Sequence, residues 1–133
     1  VIICNSDKSK FFIQQKDDTY HLENYRKHFI HFGGAVDEGE TFEEAIVREV
    51  REEIEFASIV EPEIKYLFDL DVSHINLIDT SHVYCAILDD DVFDRVALGD
   101  VYEGIKAVKS REELFDLTWI PGGDLAVKKF LDM

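Results

Sequence analysis

Residues 34–56 read GAVDEGETFEEAIVREVREEIEF and carry the clearest structural pattern of the chain. From Thr41 onward the segment contains neither Pro nor Gly. Apolar residues recur there at positions 42, 45, 46, 50 and 54. This spacing places them on one face of a helix, and Thr41 with Glu44 forms the capping-box pattern that marks a helix start. The segment therefore predicts an amphipathic helix beginning at Thr41.

Three glutamates of this helix, Glu49, Glu52 and Glu53, stand at positions i, i+3 and i+4. At about 100° per residue they share roughly a third of the helix circumference. Like charges at this spacing destabilise an isolated helix, whereas Mg²⁺ and Mn²⁺ bind hard oxygen ligands and often join carboxylates to phosphates. Taken alone, the three residues fit a solvated acidic helix and a divalent-metal site about equally well.

The pattern around these glutamates resembles the Nudix box of the nucleoside-diphosphate-X hydrolases, G-x5-E-x7-R-E-U-x-E-E-x-G-U, in which U is bulky and apolar. The matching residues are Gly34, Glu40, Arg48, Glu49, Val50, Glu52, Glu53 and Phe56. Residues 29–34, FIHFGG, also look like the W-x-x-P-G-G sequence that precedes the box in this family. One position departs from the box, because Glu55 replaces its last glycine, which would suit the turn that ends the helix.

The resemblance implies metal ligands. Glu49, Glu52 and Glu53 would bind Mg²⁺, with Mn²⁺ as the alternative, and a backbone carbonyl near Gly34 would complete the set. Glu52 is the candidate that would also orient or deprotonate the attacking water. The expected activity is that of a MutT-like pyrophosphohydrolase.

Four further residues are assigned to the site. Arg48 would pair with a box carboxylate and fix its rotamer, although an ordinary surface salt bridge explains it nearly as well. Glu40 lies next to the helix start, where its charge suits the helix dipole, and Gly33 allows close backbone approach beside Gly34. In this family the general base often lies on a loop outside the box. Glu103 is the candidate here, with an ordinary surface loop as the favoured alternative.

The substrate implied by the resemblance is a nucleotide-derived phosphoanhydride such as a nucleoside triphosphate, whose charge divalent cations would neutralise. Residues 71–74, DVSH, carry neither the Pro nor the Tyr that some ADP-ribose and dinucleoside-polyphosphate hydrolases have downstream of the box. An NDP-sugar or ADP-ribose pyrophosphatase is an alternative, as are a non-catalytic nucleotide-sensing module and an acidic interaction protein. Tyr66, Phe68 and Tyr84 are candidates to stack on a base, although core or sheet positions explain them better.

Composition predicts a single domain over residues 1–133, with 46% hydrophobic residues to form a core. A formal charge of −15 disfavours binding to nucleic acid polymers or anionic membranes, but not to small nucleotides. No apolar run approaches the length that spans a bilayer. Cys4 and Cys85 lie in apolar runs and are expected to be buried free thiols, which favours a cytoplasmic location. A homodimer is a possible assembly, because members of the family often dimerise.

The rest of the chain reads mainly as strands, which are predicted at residues 1–4, 11–15, 29–32, 64–73, 81–88 and 105–108. Residues 81–88 are nearly all apolar, as in a central strand covered on both faces. His31 fits a core or solvent-facing strand position better than a phosphate contact. Residues 16–27 predict a loop. In residues 64–73 alternation assigns one face to Tyr66, Phe68, Leu70 and Val72, and the other to Lys65, Asp69 and Asp71.

Helical signals return near the C-terminus. Ser110 and Glu113 form a capping box for a brief helix, and Asp124 is predicted to cap the final helix, whose inward residues are Val127, Phe130 and Leu131. Asp89, Asp90, Asp91 and Asp94 predict a solvated loop rather than a metal site, since no calcium-loop spacing follows. This order of strands and helices predicts a Nudix-type α/β/α sandwich with a central mixed sheet, the fold that the resemblance also implies.

Overall fold

The computed structural model describes residues 1–33, 36–53, 63–73, 80–96, 100–101 and 104–133. The strands in these ranges are β1 (Ile2–Asn5), β2 (Lys10–Lys16), β3 (Phe29–Ile30), β4 (Lys65–Asp71), β5 (Thr80–Leu88), β6 (Asp100–Val101) and β7 (Gly104–Ser110). The α-helices are α1 (Phe42–Glu53), α2 (Asp90–Val96) and α3 (Gly123–Leu131), and 3-10 helices cover Glu23–Tyr25 and Glu113–Asp116. Among the described residues, no helix has the length and apolar character needed to cross a membrane.

The described strands form one mixed sheet in the order β4–β5–β1–β2–β7–β6, with β3 paired to β2. β1 runs parallel to β5, and every other pairing is antiparallel. β5 lies inside the sheet between β4 and β1, as its nearly continuous apolar sequence predicts.

Side chains of β1 and β2 alternate between two cores, because successive residues of a strand point to opposite faces. On one face Phe12 stacks on Phe32 with a centroid distance of 5.0 Å, in a cluster that includes residues of α1 and α2. On the other face Phe11 packs edge-on against Phe130 of α3 at 6.3 Å. Burial of each such ring contributes about 1.5–3 kcal/mol. Helices cover both faces of the sheet, which confirms the predicted α/β/α sandwich.

Cys4 and Cys85 are free thiols buried in the core on the α3 side, as predicted. Burial raises the pKa of the Cys4 thiol to about 12 and raises that of Cys85 as well. Because the thiolate is the nucleophilic form, both cysteines are inert packing residues at neutral pH.

Strand β4 departs from the predicted alternation. Its register with β5 shifts between Tyr66 and Phe68, and a bulge of this kind reverses the faces beyond it. Tyr66 is 53% exposed and its hydroxyl donates to Asp69, whereas Phe68 is 9% exposed. The prediction that Tyr66 and Phe68 share a face was wrong, because strict alternation takes no account of the extra residue in the bulge.

Residues 90–96 form α2, where the sequence predicted a solvated loop, so that prediction was wrong. Asp90 and Asp91 lie in the first turn, where negative charge suits the helix dipole. Phe93 anchors the helix in the core at 1% exposure. Val92 packs against the same core, but seven residues make fewer than two full turns of helix, which is too short for a clear helical period in the sequence.

The two C-terminal helical segments begin differently. The Ser110–Glu113 capping box forms as predicted, with its backbone-to-side-chain bonds at 3.0 and 3.3 Å, but it opens a 3-10 helix. Helix α3 has Gly122 as its N-cap and no side-chain cap, so the prediction that Asp124 is the cap was wrong. Gly122 has φ +100°, a left-handed conformation that favours glycine.

One strand is longer than predicted, and another strand was not predicted. β7 is longer than the predicted residues 105–108, because all seven of its residues pair with β2. The two-residue strand β6 pairs with β7 and was not predicted. The predicted loop at residues 16–27 begins with the last residue of β2 and contains a 3-10 helix.

His31 lies directly after β3 and is buried, at 9% exposure. Its Nε2 lies 3.1 Å from the Gly123 carbonyl oxygen, so Nε2 carries the donated proton. The imidazole lies 4.9 Å from the Trp119 ring, and Nδ1 has no hydrogen-bond partner among the described residues. Burial lowers the pKa of His31 from 6.5 to about 3. The imidazole is therefore a neutral core group, as its sequence position indicated.

We expect His31 to make the protein acid-sensitive. Below its ordinary pKa of 6.5 the unfolded chain protonates His31, while the folded chain keeps it neutral until about pH 3. The contribution of the neutral imidazole to the free energy of unfolding should therefore be fully present above pH 6.5. It should be lost at about 1.4 kcal/mol per pH unit as the pH falls from 6.5 toward 3. Urea unfolding from pH 7 to pH 4 should show a shallower decline for His31→Phe than for the parent or His28→Phe. Equal slopes for all three proteins would contradict the assignment.

We expect Gly123→Ala to destabilise the fold by about 1–3 kcal/mol through overpacking. A Cβ at this position would lie 2.7 Å from Trp119 Cε3 and 3.1 Å from Ile30 Cδ1. The indole cannot easily retreat, because its Nε1 donates to the Leu114 carbonyl at 2.8 Å. Chemical denaturation of Gly123→Ala, Trp119→Leu and the double variant should show a smaller glycine penalty once the indole is absent. Strict additivity would rule out the steric explanation.

Candidate functional site

Helix α1 is positioned by its capping box and by side-chain contacts with the sheet and the core. The capping box forms as predicted, because Glu44 N–H donates to Thr41 Oγ1 at 3.1 Å and Thr41 N–H donates to Glu44 Oε1 at 3.2 Å. The Tyr84 hydroxyl of β5 donates to Glu43 at 3.3 Å. Further along α1, Ala45 and Val50 are buried at 3% and 2% exposure. These contacts fix the rotation of α1 about its own axis, and therefore the direction in which its acidic face points.

The first turn of α1 also meets β4 and β5 through Phe42. The Phe42 ring lies 3.9 Å from the His82 imidazole. Asp69 Oδ1 lies 2.6 Å from His82 Nδ1 and accepts the Tyr66 hydroxyl at 3.0 Å. The bond from His82 lowers the pKa of Asp69, with a smaller contribution from Tyr66. The bulge in β4 therefore gives Tyr66 a polar role at this junction.

Arg48 is the central cation of the site. Its Nε donates to Glu40 Oε2 at 2.8 Å and its Nη2 donates to Glu40 Oε1 at 3.0 Å, which is a bidentate pair. Its Nη1 donates to Glu49 Oε1 at 2.9 Å, and Nη2 lies 3.3 Å from Asp37 Oδ2. The predicted pairing of Arg48 with a box carboxylate is present. Asp37, which the sequence analysis had not singled out, belongs to the same network.

The network has a clear electrostatic effect. Bonds from Arg48, and then from the Asp37 N–H at 2.8 Å, hold the pKa of Glu40 below its ordinary value. Glu40 in turn is the main cause of the raised pKa of Arg48, with Glu49 as a further cause. The side chains of Glu40 and Glu49 are only 18% and 16% exposed. Arg48 therefore joins the loop before α1 to the acidic face of the helix.

Glu49 is the predicted metal ligand whose side chain the structure describes. Glu52 and Glu53 are the last residues of α1, and for them the helical backbone alone is described. Gly34 and Glu103 lie outside the described residues. Across the described side chains, no three Asp, Glu, His or Cys residues converge on one point as a metal site would require.

Gly33 fixes the approach of the chain to this site. It has φ +150°, a conformation that side chains rarely adopt. A Cβ there would meet Ile46 Cδ1 of α1 at 3.7 Å, so Gly33 lies against the box helix. The positive φ, rather than close backbone approach, is what favours glycine here, and the support of the box by Gly33 stays a prediction.

A cavity of about 620 Å³ runs along α1, lined by Glu40, Glu43, Glu44, Val47, Arg48 and Arg51. At about 100° per residue, positions 43, 44, 47 and 51 lie on the side of the helix opposite to Glu49. The cavity is therefore not the space that faces the predicted ligands. Of the candidates for base stacking, Phe68 and Tyr84 are buried at 9% and 4% exposure, in keeping with the preferred core interpretation.

We expect Arg48→Lys to lower the thermal midpoint more than Arg95→Lys, which changes an exposed arginine of α2. A lysine ammonium cannot bind both Glu40 oxygens and also reach Glu49, because it lacks the planar fork of arginine. Thermal unfolding at neutral pH with low and high salt measures the difference. Equal midpoints for the two variants would show that the Arg48 network contributes nothing to the fold.

Solved structures resemble this fold over most of its length. A MutT from work on Aliivibrio salmonicida and Vibrio cholerae has 22% identity and a TM-score of 0.66, over 98% of this chain and 95% of that one. A mutT/nudix family protein from Listeria innocua has 20% identity and a TM-score of 0.68, over 92% and 80%. The NUDIX domain of Shewanella oneidensis NrtR, solved with ADP ribose, has 12% identity and a TM-score of 0.72, over 98% and 82%. At these identities the resemblance shows a common fold.

Sequence comparison gives the family. No curated protein matches the chain. The family model described as the NUDIX domain matches residues 1–132, which includes the box residues, the capping box of α1 and the strands that hold them. The chain therefore belongs to the NUDIX domain family.

Proposed function

We propose that this chain is a Mg²⁺-dependent hydrolase that cleaves a phosphoanhydride bond in a nucleotide-derived substrate, with a nucleoside triphosphate as the leading candidate. The supporting observation is the setting of Glu49. Its carboxylate is held by Arg48 at 2.9 Å, on a helix whose register aligns it with Glu52 and Glu53. Such preorganisation of a charged group on a rigid element is what a catalytic site requires.

The donor chemistry fits a divalent cation. Helix α1 continues to Glu53, so the backbone places residues 49, 52 and 53 on one face, and all three offer the hard oxygen ligands that Mg²⁺ and Mn²⁺ prefer. Arg48 offsets one negative charge and is shared with Glu40 and Asp37. A cation held on this face would neutralise the substrate phosphates and lower the pKa of a water ligand.

The remaining proposed roles rest on the resemblance to the Nudix box and, for Glu103, on a loop outside it. Glu52 is the proposed group that orients or deprotonates the attacking water, and Glu103 is the alternative general base. The backbone at Gly34 is the proposed additional ligand. Arg48 and Glu40 hold the Glu49 carboxylate in one rotamer, which avoids paying its ordering entropy at each turnover.

A second candidate is hydrolysis of ADP-ribose or an NDP-sugar, and a third is nucleotide binding without turnover. The ADP ribose bound to the NUDIX domain of Shewanella NrtR supports a nucleotide-linked ligand for this fold. The proposed partner of our chain is accordingly a nucleoside-diphosphate-linked small molecule, and a homodimer is the proposed assembly. Two buried free thiols favour a reducing compartment such as the cytoplasm.

We expect Glu52→Gln to lower turnover by roughly 10²–10⁴-fold, because the amide can neither accept a proton nor bind a cation as a carboxylate does. Glu53→Gln should also lose activity by orders of magnitude. The measurement is phosphate or pyrophosphate release from nucleoside triphosphates, NDP-sugars and ADP-ribose at saturating Mg²⁺. Unchanged rates for both variants would refute the proposal.

The matched control is Glu112→Gln, which removes an exposed carboxylate beside the second 3-10 helix. It should retain the parent rate. Calorimetry with Mn²⁺ separates the alternatives further. A parent that binds Mn²⁺ and nucleotide without releasing product is a sensor. A parent whose Mn²⁺ uptake survives replacement of Glu49, Glu52 and Glu53 together carries no metal site on α1.

A further inference from the structure

We propose that residues 118–123 form a clamp on the segment entering the Nudix box, with His31 as the positioning residue that ties that segment to α3. This inference rests on the proposed function, because the positioned backbone leads to Gly33 and Gly34. It assigns a catalytic purpose to the C-terminal part of the chain, which lies far from the box in sequence.

Backbone bonds form the first part of the clamp. The Phe29 N–H donates to the Thr118 carbonyl at 2.8 Å, and the Ile120 N–H donates to the Phe29 carbonyl at 2.9 Å. Phe29 and Trp119 accordingly form a parallel bridge. Residues 118–120 therefore act as a short strand beside β3.

Side chains form the second part. The His31 Nε2–H donates to the Gly123 carbonyl at 3.1 Å, and the imidazole lies against Trp119. Trp119 is itself fixed by its bond to the Leu114 carbonyl, and the absence of a Cβ at Gly123 leaves room for its ring. The first turn of α3, the indole and the imidazole thus form one packed unit.

On its other side β3 pairs with β2, and the Lys16 N–H also donates to the His28 carbonyl at 3.0 Å. β3 has two residues, and its register with β2 consists of Gln14 opposite Ile30 and Gln15 opposite Phe29. Beyond the strand, the Gln14 amide donates to the His31 carbonyl at 3.3 Å. A two-residue strand has few ladder bonds of its own, so the clamp adds a second set of restraints on the edge of β3 opposite to β2.

The choice of histidine is informative because it has a cost. Its Nδ1 is a buried acceptor with no partner among the described residues, which is unfavourable. An apolar residue would avoid that cost but would not donate to Gly123. Two residues later Gly33 lies against Ile46 of α1. His31 and the Phe32 ring, which stacks on Phe12, therefore together position the backbone that enters the box.

The test compares His31→Phe, which keeps the ring but loses the donor, with His31→Gln, which keeps an N–H donor. Val83→Ala serves as a matched core control, since it weakens packing on the α3 side from β5, which β1 separates from β2 and its partner β3. All proteins are compared at a temperature where circular dichroism shows them folded. The readouts are Mn²⁺ affinity by electron paramagnetic resonance, kcat and KM, and amide exchange of peptides covering residues 29–36.

For His31→Phe we expect faster exchange in residues 29–36, a 5- to 20-fold weaker Mn²⁺ affinity and a similar loss in kcat, with KM for the nucleotide nearly unchanged. His31→Gln should recover part of each loss, and Val83→Ala should show none of them. A His31→Phe protein with lower stability but the parent's exchange and Mn²⁺ affinity would overturn the clamp alone. A parent that neither binds Mn²⁺ nor hydrolyses nucleotides would overturn the proposed function, and the catalytic purpose of the clamp with it.

Discussion

The bidentate pair between Arg48 and Glu40 is the contact on which the acidic side of this protein depends. Without a cation at that point, Asp37, Glu40 and Glu49 would repel one another at the junction between a loop and a helix. Arg48 bonds to all three. The planar guanidinium offsets the repulsion among the three carboxylates and holds them at defined distances and angles. The loop, the start of α1 and its acidic face therefore behave as one unit.

The sheet supplies the rigid base for this unit. Each face of the sheet has its own aromatic core, and α1 belongs to the core on the Phe12 side. Tyr84 and Val50 hold the helix against that face, and Gly33 lies against Ile46 in a backbone conformation that favours glycine. Packing thus fixes where Glu49 lies, while Arg48 fixes how its carboxylate points. Position and orientation have separate physical causes.

The opposite face supports the site indirectly. Helix α3 packs on the Phe11 side, yet its first residue accepts the bond from His31 at the end of β3. The C-terminal segment therefore influences both layers of the sandwich. A neutral buried imidazole is suited to this task, because it can donate one hydrogen bond without bringing a charge into the core.

The sequence by itself determined the features that local chemistry dictates. Capping boxes at Thr41 and Ser110 formed because their bonds span three residues, and the apolar strands formed a mixed sheet covered on both faces. The sequence also identified the family, because the spacing of the box residues matches the Nudix pattern. In a helix, residues three or four apart share a face, so this spacing also predicted the acidic face of α1. The sequence also predicted that Arg48 would pair with a box carboxylate, and the structure identifies Glu49 as that partner.

Only the tertiary structure decided the features that depend on partners distant in sequence. The bulge that turns Tyr66 toward Asp69 is set by register with β5, and α2 forms because Phe93 finds a core site. Gly122, rather than Asp124, is the N-cap of α3, because the chain enters this helix in a left-handed conformation that favours glycine. The bond from His31 to Gly123 likewise exists only after β3 and α3 meet. Periodicity describes one element at a time, whereas these contacts are defined by two.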